Sequence, residues 1–476
     1  IDHLKELGVT HVHLMPSFDY QTVDETRLNV PQFNWGYDPQ NFNCPEGSYS
    51  TNPYDGRARV AEFKRLVHAL HCQGIRVIMD VVYNHTYATA DSPFNKIFNK
   101  YYYRLWGENG EYFSNGSGCG NEIATERFMV RKYIIDSLVY WATEFKIDGF
   151  RFDLMGLYDI ETMNKIDETL HAINPDIILY GEGWTGGDSP LADSKRAMKL
   201  NARHTPNIAF FSDDFRDTIK GNNFENRSRG YVNGATGSEE YVKEVMCGRI
   251  PHPQIPNLTK FAWTLSPCQT VNYVEAHDNL TLWDQLIYTN PTDSLDTRKK
   301  MDKMAAACVF LAQGIPFIQA GQDFLRSKPL PGGAYDHNSY NSPDAVNSLK
   351  WDRKSEFRDV FDYYKGLIEF RKAHSALRMF TAEDIGRNMK FFDHLPQRIV
   401  GFGLYGDCEL EEIIVFFNPT NDDITLHAFG EYNVYIDGDN AGNKPLYTVC
   451  DDYIIKPHST MVMGRPYPKP EEEAAE

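Results

Sequence analysis

Short apolar runs rich in β-branched residues alternate with amphipathic stretches along the first 377 residues. The runs predict β-strands, and the stretches, whose apolar positions recur every three to four residues, predict helices. The predicted strands are Val9–Met15, Ile75–Val82, Ile147–Leu154, Ile177–Tyr180, Ile208–Phe211, Val271–Glu275 and Ile315–Gln319. The predicted helices are Ile1–Leu7, Arg59–Leu70, Ile134–Phe145, Ile160–Ile173 and Met301–Leu311. Because these strands are nearly continuous apolar runs, they indicate a parallel sheet covered by helices on both faces.

Eight such strand–helix units close into a (β/α)8 TIM barrel. The fold class predicted for residues 1–377 is therefore α/β, although the pattern contains seven strands rather than eight. The helix Ile1–Leu7 has no strand before it, so we expect the first barrel strand to be missing from this chain. Polar insertions at 86–121 and 221–260 lie where barrel enzymes carry their active-site loops.

The pattern changes after about residue 378, where helical periodicity gives way to short alternating runs. Turn signals such as Asn418-Pro419 and Asp437-Gly438 separate these runs. The predicted strands are Ile399–Tyr405, Glu412–Asn418, Asp423–Ala428, Tyr432–Ile436 and Thr460–Met463. We expect a C-terminal antiparallel β-sandwich over 378–466, followed by an acidic tail at 467–476.

The formal net charge of −18 argues against nucleic acid or an anionic membrane as a partner. A neutral polysaccharide is not repelled by such a surface, and the aromatic content of 13% offers flat faces for sugar rings. No apolar run approaches the roughly 18 residues of a membrane span. The eight cysteines are scattered without a CxxC pair, which predicts reduced, mostly buried thiols and favours a cytoplasmic location over export.

Four polar segments end predicted strands, at the face where a barrel carries its chemistry. They are Asp80–His85, Gly149–Asp153, Tyr180–Trp184 and Val274–Asn279. A single polar strand end is commonly a helix cap. Three of the four segments place Asp153, Glu182 and Asp278 at these strand ends, which capping alone does not explain.

Arg151 and Asp153 are two residues apart on a predicted strand, so their side chains point to the same face. A guanidinium stabilises a neighbouring charged carboxylate and lowers its pKa. Such an aspartate is suited to act as a nucleophile. The alternative is a buried ion pair with a purely structural role.

Glu182 follows Asp153 by 29 residues, about one strand–helix repeat, so we expect it on the adjacent strand. Trp184 would give Glu182 an apolar wall that favours the protonated carboxyl of a general acid. Gly181 and Gly183 would let a ligand approach closely. One ionised and one protonated carboxyl make the pair that glycoside hydrolysis requires.

Asp278 would be a third carboxylate, able to hold sugar hydroxyls and stabilise a distorted, cation-like ring. His85 and His277 could donate hydrogen bonds to hydroxyls, although a lone histidine is more often a satisfied core residue. A metal cluster is a weaker interpretation, because the strand ends show no HxxxH or HxH spacing.

In identity, order and spacing, the four segments resemble the signature regions of the α-amylase superfamily of retaining glycoside hydrolases. That resemblance implies that Asp153 is the nucleophile and Glu182 the general acid/base. It implies that Asp278 stabilises the transition state.

Further segments are similar to type I pullulanases, the debranching enzymes of this superfamily. They are Asn34–Pro39, Gly116–Glu122, Arg216–Gly221, Gly321–Lys328 and Ser339–Ser342. The resemblance implies substrate contacts at Tyr37, His85, Arg151, Trp184, His277, Trp35, Tyr340 and Asn341, with Asp80 and Asn84 as structural residues near the site. Tyr37 is expected to stack on the sugar at the cleavage point.

The family further implies a branched α-glucan as substrate and no cofactor. The sequence indicates no metal ligands and no calcium site. Carbohydrate-binding and β-sandwich modules that usually precede the barrel in this family are expected to be missing here. Thr185 departs from the pattern, because many relatives carry Asp at that position.

The predicted function is cleavage of α-1,6-glucosidic linkages in pullulan, amylopectin or glycogen-derived dextrins by a retaining double displacement. The nearest alternative is an isoamylase-like or α-1,4-acting amylase, which the carboxylates do not distinguish. A non-catalytic glucan-binding protein is the alternative from another class, although such proteins usually lose a carboxylate. Aldolase chemistry would require a strand-end lysine, and none of the four segments has one.

Overall fold

The computed structural model describes residues 1–225, 228–256, 262–406 and 409–467, so the predicted acidic tail after Tyr467 lies outside the described residues. The chain divides into two compact units. The first comprises Ile1–Lys5, Val9–Phe211 and Ser339–Asn347, and the second comprises Glu6–Gly8, Ser212–Asn338 and Ser348–Glu476.

The first unit is built around five parallel strands that pair in the order His11–Leu14, Arg76–Val81, Gly149–Phe152, Ile178–Gly181 and Ala209–Phe211. Two short antiparallel pairs accompany them, Phe18–Tyr20 with Pro39–Pro45 and Leu105–Trp106 with Tyr112–Phe113. The helices are Gly56–His71, Pro93–Ile97, Phe128–Glu144, Ile160–Ile173 and Asp344–Asn347. The helix Asp2–Leu7 comes before the first strand.

Side-chain caps explain where several helices begin. The carboxylate of Asp55 accepts from the backbone of Arg57, and that of Asp159 accepts from the backbone of Thr162. Each cap satisfies one N–H group that the first helical turn leaves without an intrahelical partner. The helix predicted from Ile134 begins earlier, at Phe128. The prediction missed its first turn because Phe128 and Met129 are apolar but exposed, which obscures the helical periodicity there.

The second unit contains two parallel strands, Thr270–Asn272 and Ile315–Pro316. All seven parallel strands predicted from the sequence are therefore present among the described residues. Among its described residues the helices are Asp213–Lys220, Glu239–Met246, Leu282–Thr289, Leu295–Leu311, Asp352–Glu356, Arg358–Ala373 and Ala382–Asn388. The predicted helix Met301–Leu311 starts at Leu295, where Ser294 caps the backbone of Thr297.

The C-terminal strands form one six-stranded antiparallel sheet. In sheet order they are Met389–Phe391, Val400–Leu404, Glu412–Asn418, Ser459–Arg465, Ile424–Ile436 and Tyr447–Ile455. The two runs predicted at 423–428 and 432–436 are one long strand, whose register shifts between His427 and Glu431. The strand Tyr447–Ile455 was missed because most of its side chains are exposed and do not alternate.

The cysteines of the described residues are not joined in disulfides, and most of them are not buried. Cys247 and Cys308 are buried, whereas Cys72, Cys119, Cys268 and Cys450 are exposed. The prediction of mostly buried thiols was wrong, because the spacing of cysteines along the chain carries no information on their burial. In the part of the chain that the structure describes, no helix combines the length and apolar character of a membrane span.

Candidate active site

The register of the first unit places three polar residues side by side on neighbouring strands. Asp80 is opposite Arg151, and Arg151 is opposite Tyr180. Asp153 and Glu182 continue this pairing just beyond the strands, because their backbone N–H groups donate to Val81 and Phe152 at 3.0 and 3.2 Å. The two carboxylates therefore leave adjacent strand ends, as the spacing of 29 residues predicted.

One guanidinium contacts three carboxylates. Arg151 Nη1 lies 2.9 Å from Asp80 Oδ1 and 3.0 Å from Asp153 Oδ1. Arg151 Nη2 lies 2.7 Å from Glu182 Oε1. Asp153 and Glu182 thus share a single cation through its two terminal nitrogens, an arrangement that the planar fork of arginine permits.

These groups are removed from water. The exposed fractions of Asp80, Arg151, Asp153 and Glu182 are 0, 2, 9 and 6%. Burial opposes the charge on Arg151, but Asp80, Glu182, Tyr37 and Asp153 outweigh it and hold its pKa well above the ordinary value. Three carboxylates around one guanidinium leave an excess of negative charge, which would stabilise a cation formed between them.

Asn84 fixes the orientation of Asp153. Its side-chain amide donates to the Asp153 carbonyl at 2.9 Å and to Asp153 Oδ2 at 2.7 Å. With Oδ1 held by Arg151, both oxygens of Asp153 have a partner. Asn84 is fully buried, so its contacts to Asp153 are shielded from water.

Glu182 is held by two donors. Besides Arg151, the backbone N–H of Leu154 donates to Glu182 Oε2 at 2.9 Å. Leu154 has a φ of 40°, in the left-handed region that leucine rarely adopts, and this conformation accompanies its N–H contact to the carboxylate. Both donors stabilise the charged carboxylate, whereas the sequence predicted an apolar wall and a protonated carboxyl; Trp184 is half-buried.

The segment Asn34–Pro39 presents Tyr37 to this cluster. Tyr37 donates to Asp80 Oδ2 at 2.7 Å, and the Arg151 guanidinium lies 5.6 Å from its ring centre. Gly36 has a φ of 93°, and a Cβ there would lie 2.9 Å from the Tyr20 ring, so the turn requires glycine.

Trp35 contacts both Tyr37 and Tyr340 edge to face, with ring centres 6.4 Å apart in each pair. The backbone N–H of Trp35 also donates to the Tyr340 carbonyl at 2.9 Å. Tyr340 and Asn341 are exposed. Three of the predicted aromatic contacts, Trp35, Tyr37 and Tyr340, therefore lie together in the first unit.

His85 lies between two acceptors. Its Nε2 is 2.8 Å from the Tyr37 carbonyl, and its Nδ1 is 2.6 Å from Asn84 Oδ1. Burial lowers the pKa of His85 to about 4, and the Tyr37 carbonyl acts in the opposite direction. Since both ring nitrogens contact the protein, a hydrogen bond to a sugar hydroxyl would have to replace one of these contacts.

His277 and Asp278 lie in the second unit. His277 Nε2 is 3.5 Å from Asp278 Oδ2, and the side chain of Asp278 is 51% exposed. Asn279, which follows, has a φ of 64°. Asp278 is thus an accessible carboxylate at a sharp turn of the backbone.

Two residues of the cluster were missed by sequence reasoning. His13 Nε2 lies 3.1 Å from Asp80 Oδ2, and its Nδ1 lies 3.1 Å from the hydroxyl of Tyr180. Both residues stand on predicted strands at positions that face the same side as Asp80. That alternation was a usable signal, but a histidine or tyrosine inside an apolar run resembles ordinary core.

The glycines beside Glu182 serve packing rather than ligand access, which corrects the sequence expectation. A Cβ on Gly181 would lie 2.6 Å from the Phe152 carbonyl oxygen, and one on Gly183 would lie 2.7 Å from the Lys199 backbone nitrogen. Neighbouring backbone therefore occupies the space that a side chain would need.

Within the described residues, one group of carboxylates could hold a cation. Asp19, Glu25 and Glu46 offer oxygens within 4.8 Å of one another. Arg59 pairs with both Asp19 and Glu25, and backbone N–H groups of Tyr20 and Ser48 donate to Glu46. Each of the three carboxylates therefore already has a hydrogen-bond donor as a partner. The expectation that the protein needs no metal stays a prediction.

Comparisons with known proteins show which proteins the chain resembles in sequence and fold. The model "Alpha amylase, catalytic domain" matches residues 1–106. A pullulanase of Bacillus subtilis is 40% identical over 89% of this chain and 57% of its own length. The crystal structure of the pullulanase from Paenibacillus barengoltzii in complex with maltohexaose and α-cyclodextrin is 41% identical, with a TM-score of 0.89 over 98% of this chain and 70% of that one.

The chain belongs to the type I pullulanase family. The crystal structure of pullulanase type I from B. subtilis complexed with maltose is 37% identical, with a TM-score of 0.91 over 98% of this chain and 64% of that one. The predicted fold class was a TIM barrel followed by a C-terminal antiparallel β-sandwich. The comparisons confirm a TIM barrel with a C-terminal β domain, whose described strands pair in one antiparallel sheet. This pullulanase-family chain spans little more than half the length of the curated B. subtilis relative.

Proposed function

We propose that this chain is the catalytic part of a debranching α-glucan hydrolase that cleaves α-1,6-glucosidic linkages with retention of configuration. The observation that carries the proposal is the pair of carboxylates, Asp153 and Glu182, held on adjacent strand ends by one buried guanidinium. Retaining glycosidases hold their two carboxyl groups only about 5–5.5 Å apart. A guanidinium that contacts both Asp153 and Glu182 keeps this pair close, which supports a double displacement. The similarity to pullulanases supports a branched α-glucan as the substrate.

In this mechanism Asp153 attacks the anomeric carbon while Glu182 protonates the bridging oxygen. A β-linked glycosyl enzyme forms, and water deprotonated by Glu182 then releases the sugar with its α configuration. Asn84 and Arg151 each hold one oxygen of Asp153, which keeps the nucleophile aimed while it is charged. The excess negative charge around Arg151 stabilises the cation-like ring.

Glu182 must carry a proton when it acts as an acid, yet its two donors stabilise its charged form. We infer that the bound glucan replaces the contact from Arg151 Nη2 and lowers the access of water to Glu182. Desolvation then favours the protonated carboxyl. Asp278, with its exposed carboxylate, is assigned the role of holding sugar hydroxyls in the transition state.

The test is an analysis of products from pullulan and from linear amylose with the 476-residue chain. We expect maltotriose from pullulan, released initially as the α-anomer, and little turnover of amylose. Faster hydrolysis of amylose would favour an α-1,4-acting amylase. Glucan binding without turnover would favour a non-catalytic binding protein.

Asp153→Asn should lower kcat on pullulan by about 10⁴-fold or more, because the amide is not a nucleophile. Binding of maltohexaose should change less than tenfold. Asp159→Asn is the matched control, since Asp159 is also buried and ion-paired but caps a helix. Equal loss of kcat in both variants, or activity retained in Asp153→Asn, would refute the assigned role.

A further inference from the structure

The backbone around Asp278 is held by two buried lysines that come from other parts of the second unit. Lys328 Nζ donates to the His277 carbonyl at 2.6 Å. Lys220 Nζ donates to the Leu280 carbonyl at 3.1 Å. The two contacts lie on opposite sides of Asp278 in the sequence, one before it and one after it.

Both lysines belong to pullulanase-like segments that the catalytic scheme leaves without a role. Lys220 is the last residue of the helix Asp213–Lys220, and Lys328 ends the segment Gly321–Lys328. Both side chains are buried, with exposed fractions of 0 and 1%. An ammonium group is rarely buried without a specific partner, so each contact is a strong constraint on the backbone carbonyl that receives it.

Neighbouring contacts strengthen this hold on the loop. Asn223 Nδ2 donates to Asn279 Oδ1 at 2.8 Å, next to Asp278. The Lys328 backbone N–H donates to Asp284 Oδ2 at 2.8 Å, which fixes the segment from which the lysine side chain extends. Asn279 keeps its φ of 64° within this frame.

The side chain of Asp278 is held less firmly than its backbone. Its carboxylate is half exposed, and the contact with His277 Nε2 is 3.5 Å, longer than an ordinary hydrogen bond. The direction of the carboxylate therefore depends chiefly on where the backbone between His277 and Leu280 places its Cα–Cβ bond.

We propose that Lys220 and Lys328 are positioning residues that clamp the backbone on the two sides of Asp278 and so fix the direction of its carboxylate. This inference rests on the proposed function, in which Asp278 acts on the reacting sugar. Loss of either lysine should displace Asp278, and a displacement of about 1 Å in an active site can lower the rate about 10²-fold.

The electrostatic surroundings add a pH dependence. Burial, together with Arg326, lowers the pKa of Lys328 to about 8, against the opposite effects of Glu275, Asp278 and Asp284. Burial also lowers the pKa of Lys220, with Glu275 and Asp217 opposing and Arg216 and Lys328 adding to the effect. The clamp should therefore weaken as pH rises and the ammonium groups lose their charge.

The test compares Lys220→Met and Lys328→Met with the unchanged chain on pullulan. We expect kcat per folded molecule to fall about 10- to 100-fold in each, with KM changed less than about threefold. Lys303→Met is the matched control, because Lys303 is also buried and its Nζ contacts the Asp439 carbonyl, away from this loop. Lys303 Nζ also lies 3.2 Å from Asp359 Oδ2, so its loss should affect stability, but kcat per folded molecule should stay within about twofold.

A charge-retaining variant separates positioning from general stability. In Lys328→Arg, the ratio of its kcat to that of the unchanged chain should rise above about pH 8, since arginine stays charged there. Taking the ratio removes any alkaline loss caused by the general acid. A ratio independent of pH, together with equal kcat losses in all three methionine variants, would overturn the proposal.

Hydrogen–deuterium exchange gives a readout that needs no activity. The backbone amides of residues 277–282 should exchange about tenfold faster in Lys328→Met than in Lys303→Met. If the unchanged chain does not cleave pullulan, the proposed function is wrong. The exchange measurement still tests whether Lys328 holds the backbone around Asp278. Equal exchange of 277–282 in the two variants would refute it.

Discussion

Arg151 in the first unit, and Lys220 and Lys328 in the second, hold catalytic candidates in different electrostatic surroundings. Arg151 pairs directly with Asp80, Asp153 and Glu182, and these carboxylates keep its pKa well above the ordinary value. Lys220 and Lys328 instead donate to backbone carbonyls, and burial lowers their pKa values.

The contrast shows how the choice between arginine and lysine follows the task. Arginine offers a planar fork that can hold several carboxylates at once and stays charged at every accessible pH. Lysine is a compact donor that suits a single carbonyl, and its pKa shifts readily on burial. The first arrangement fixes charged side chains, and the second fixes a turn of the backbone.

Arg151→Met should have the largest effect. It leaves three buried carboxylates without their shared cation, so we expect a loss of about 3–5 kcal/mol in the free energy of unfolding and a fall in kcat of about 10³-fold or more. Urea unfolding and pullulan turnover measure the two effects. A stability change below about 1 kcal/mol would mean that Arg151 does not hold the cluster.

Arg104→Met is its matched control. Arg104 is as buried as Arg151 and pairs with Glu122 and Glu126, in a loop that carries no proposed catalytic group. We expect a similar loss of stability with kcat within about tenfold. A fall in kcat as large as that of Arg151→Met would show that turnover follows stability alone.

The pH dependence of stability should separate the two electrostatic surroundings next. The folded pKa of Lys328, about 8, lies below its ordinary value of 10.5, so between these pH values the unfolded chain binds more protons than the folded one. The stability of the unchanged chain should therefore rise with pH by up to about 3 kcal/mol relative to Lys328→Met.

Arg151, whose pKa is raised, gives no such change below about pH 12. Unfolding in urea at pH 7.5, 9 and 10.5 would measure the differences. A difference between the unchanged chain and Lys328→Met that stays constant with pH would contradict the lowered pKa. A rise in pH should thus increase the stability of the unchanged chain relative to Lys328→Met, while it weakens the proposed hold of Lys328 on the His277 carbonyl.

The smallest effect is expected for Glu275→Gln. Burial raises the pKa of Glu275, and its Oε1 has no hydrogen-bond partner among the described residues, while Oε2 accepts from the Leu282 backbone. Glu275→Gln keeps an acceptor for Leu282 but removes a carboxylate that favours the charged forms of Lys220 and Lys328, so we expect a loss of about 1 kcal/mol.

Asp80→Asn should cost more, about 2 kcal/mol, because Asp80 is a charged partner of Arg151 and also accepts from Tyr37. Both variants replace a buried carboxylate by its amide, so urea unfolding compares them directly. Equal destabilisation would remove the distinction between the two electrostatic surroundings.

The sequence predicted the fold and the placement of the carboxylates where the signal was periodic or local. Asp153 and Glu182 stand one strand–helix repeat apart, and that spacing was enough to place them on neighbouring strands. The contact between Arg151 and Glu182 was not predicted, because the pattern linked Arg151 only with Asp153 on its own strand. The charged surroundings of Glu182 follow from that contact.

The sequence by itself determined the order of strands and helices and the carboxylates at the strand ends. The reason is that the buried face of each helix or strand requires apolar residues at regular intervals, and these intervals are visible in the sequence. What only the tertiary structure decided was the pairing of residues distant along the chain. His13 with Asp80, and Lys328 with the carbonyl of His277, are such pairs. No local pattern encodes these partners, because packing, rather than sequence spacing, brings them within hydrogen-bond distance.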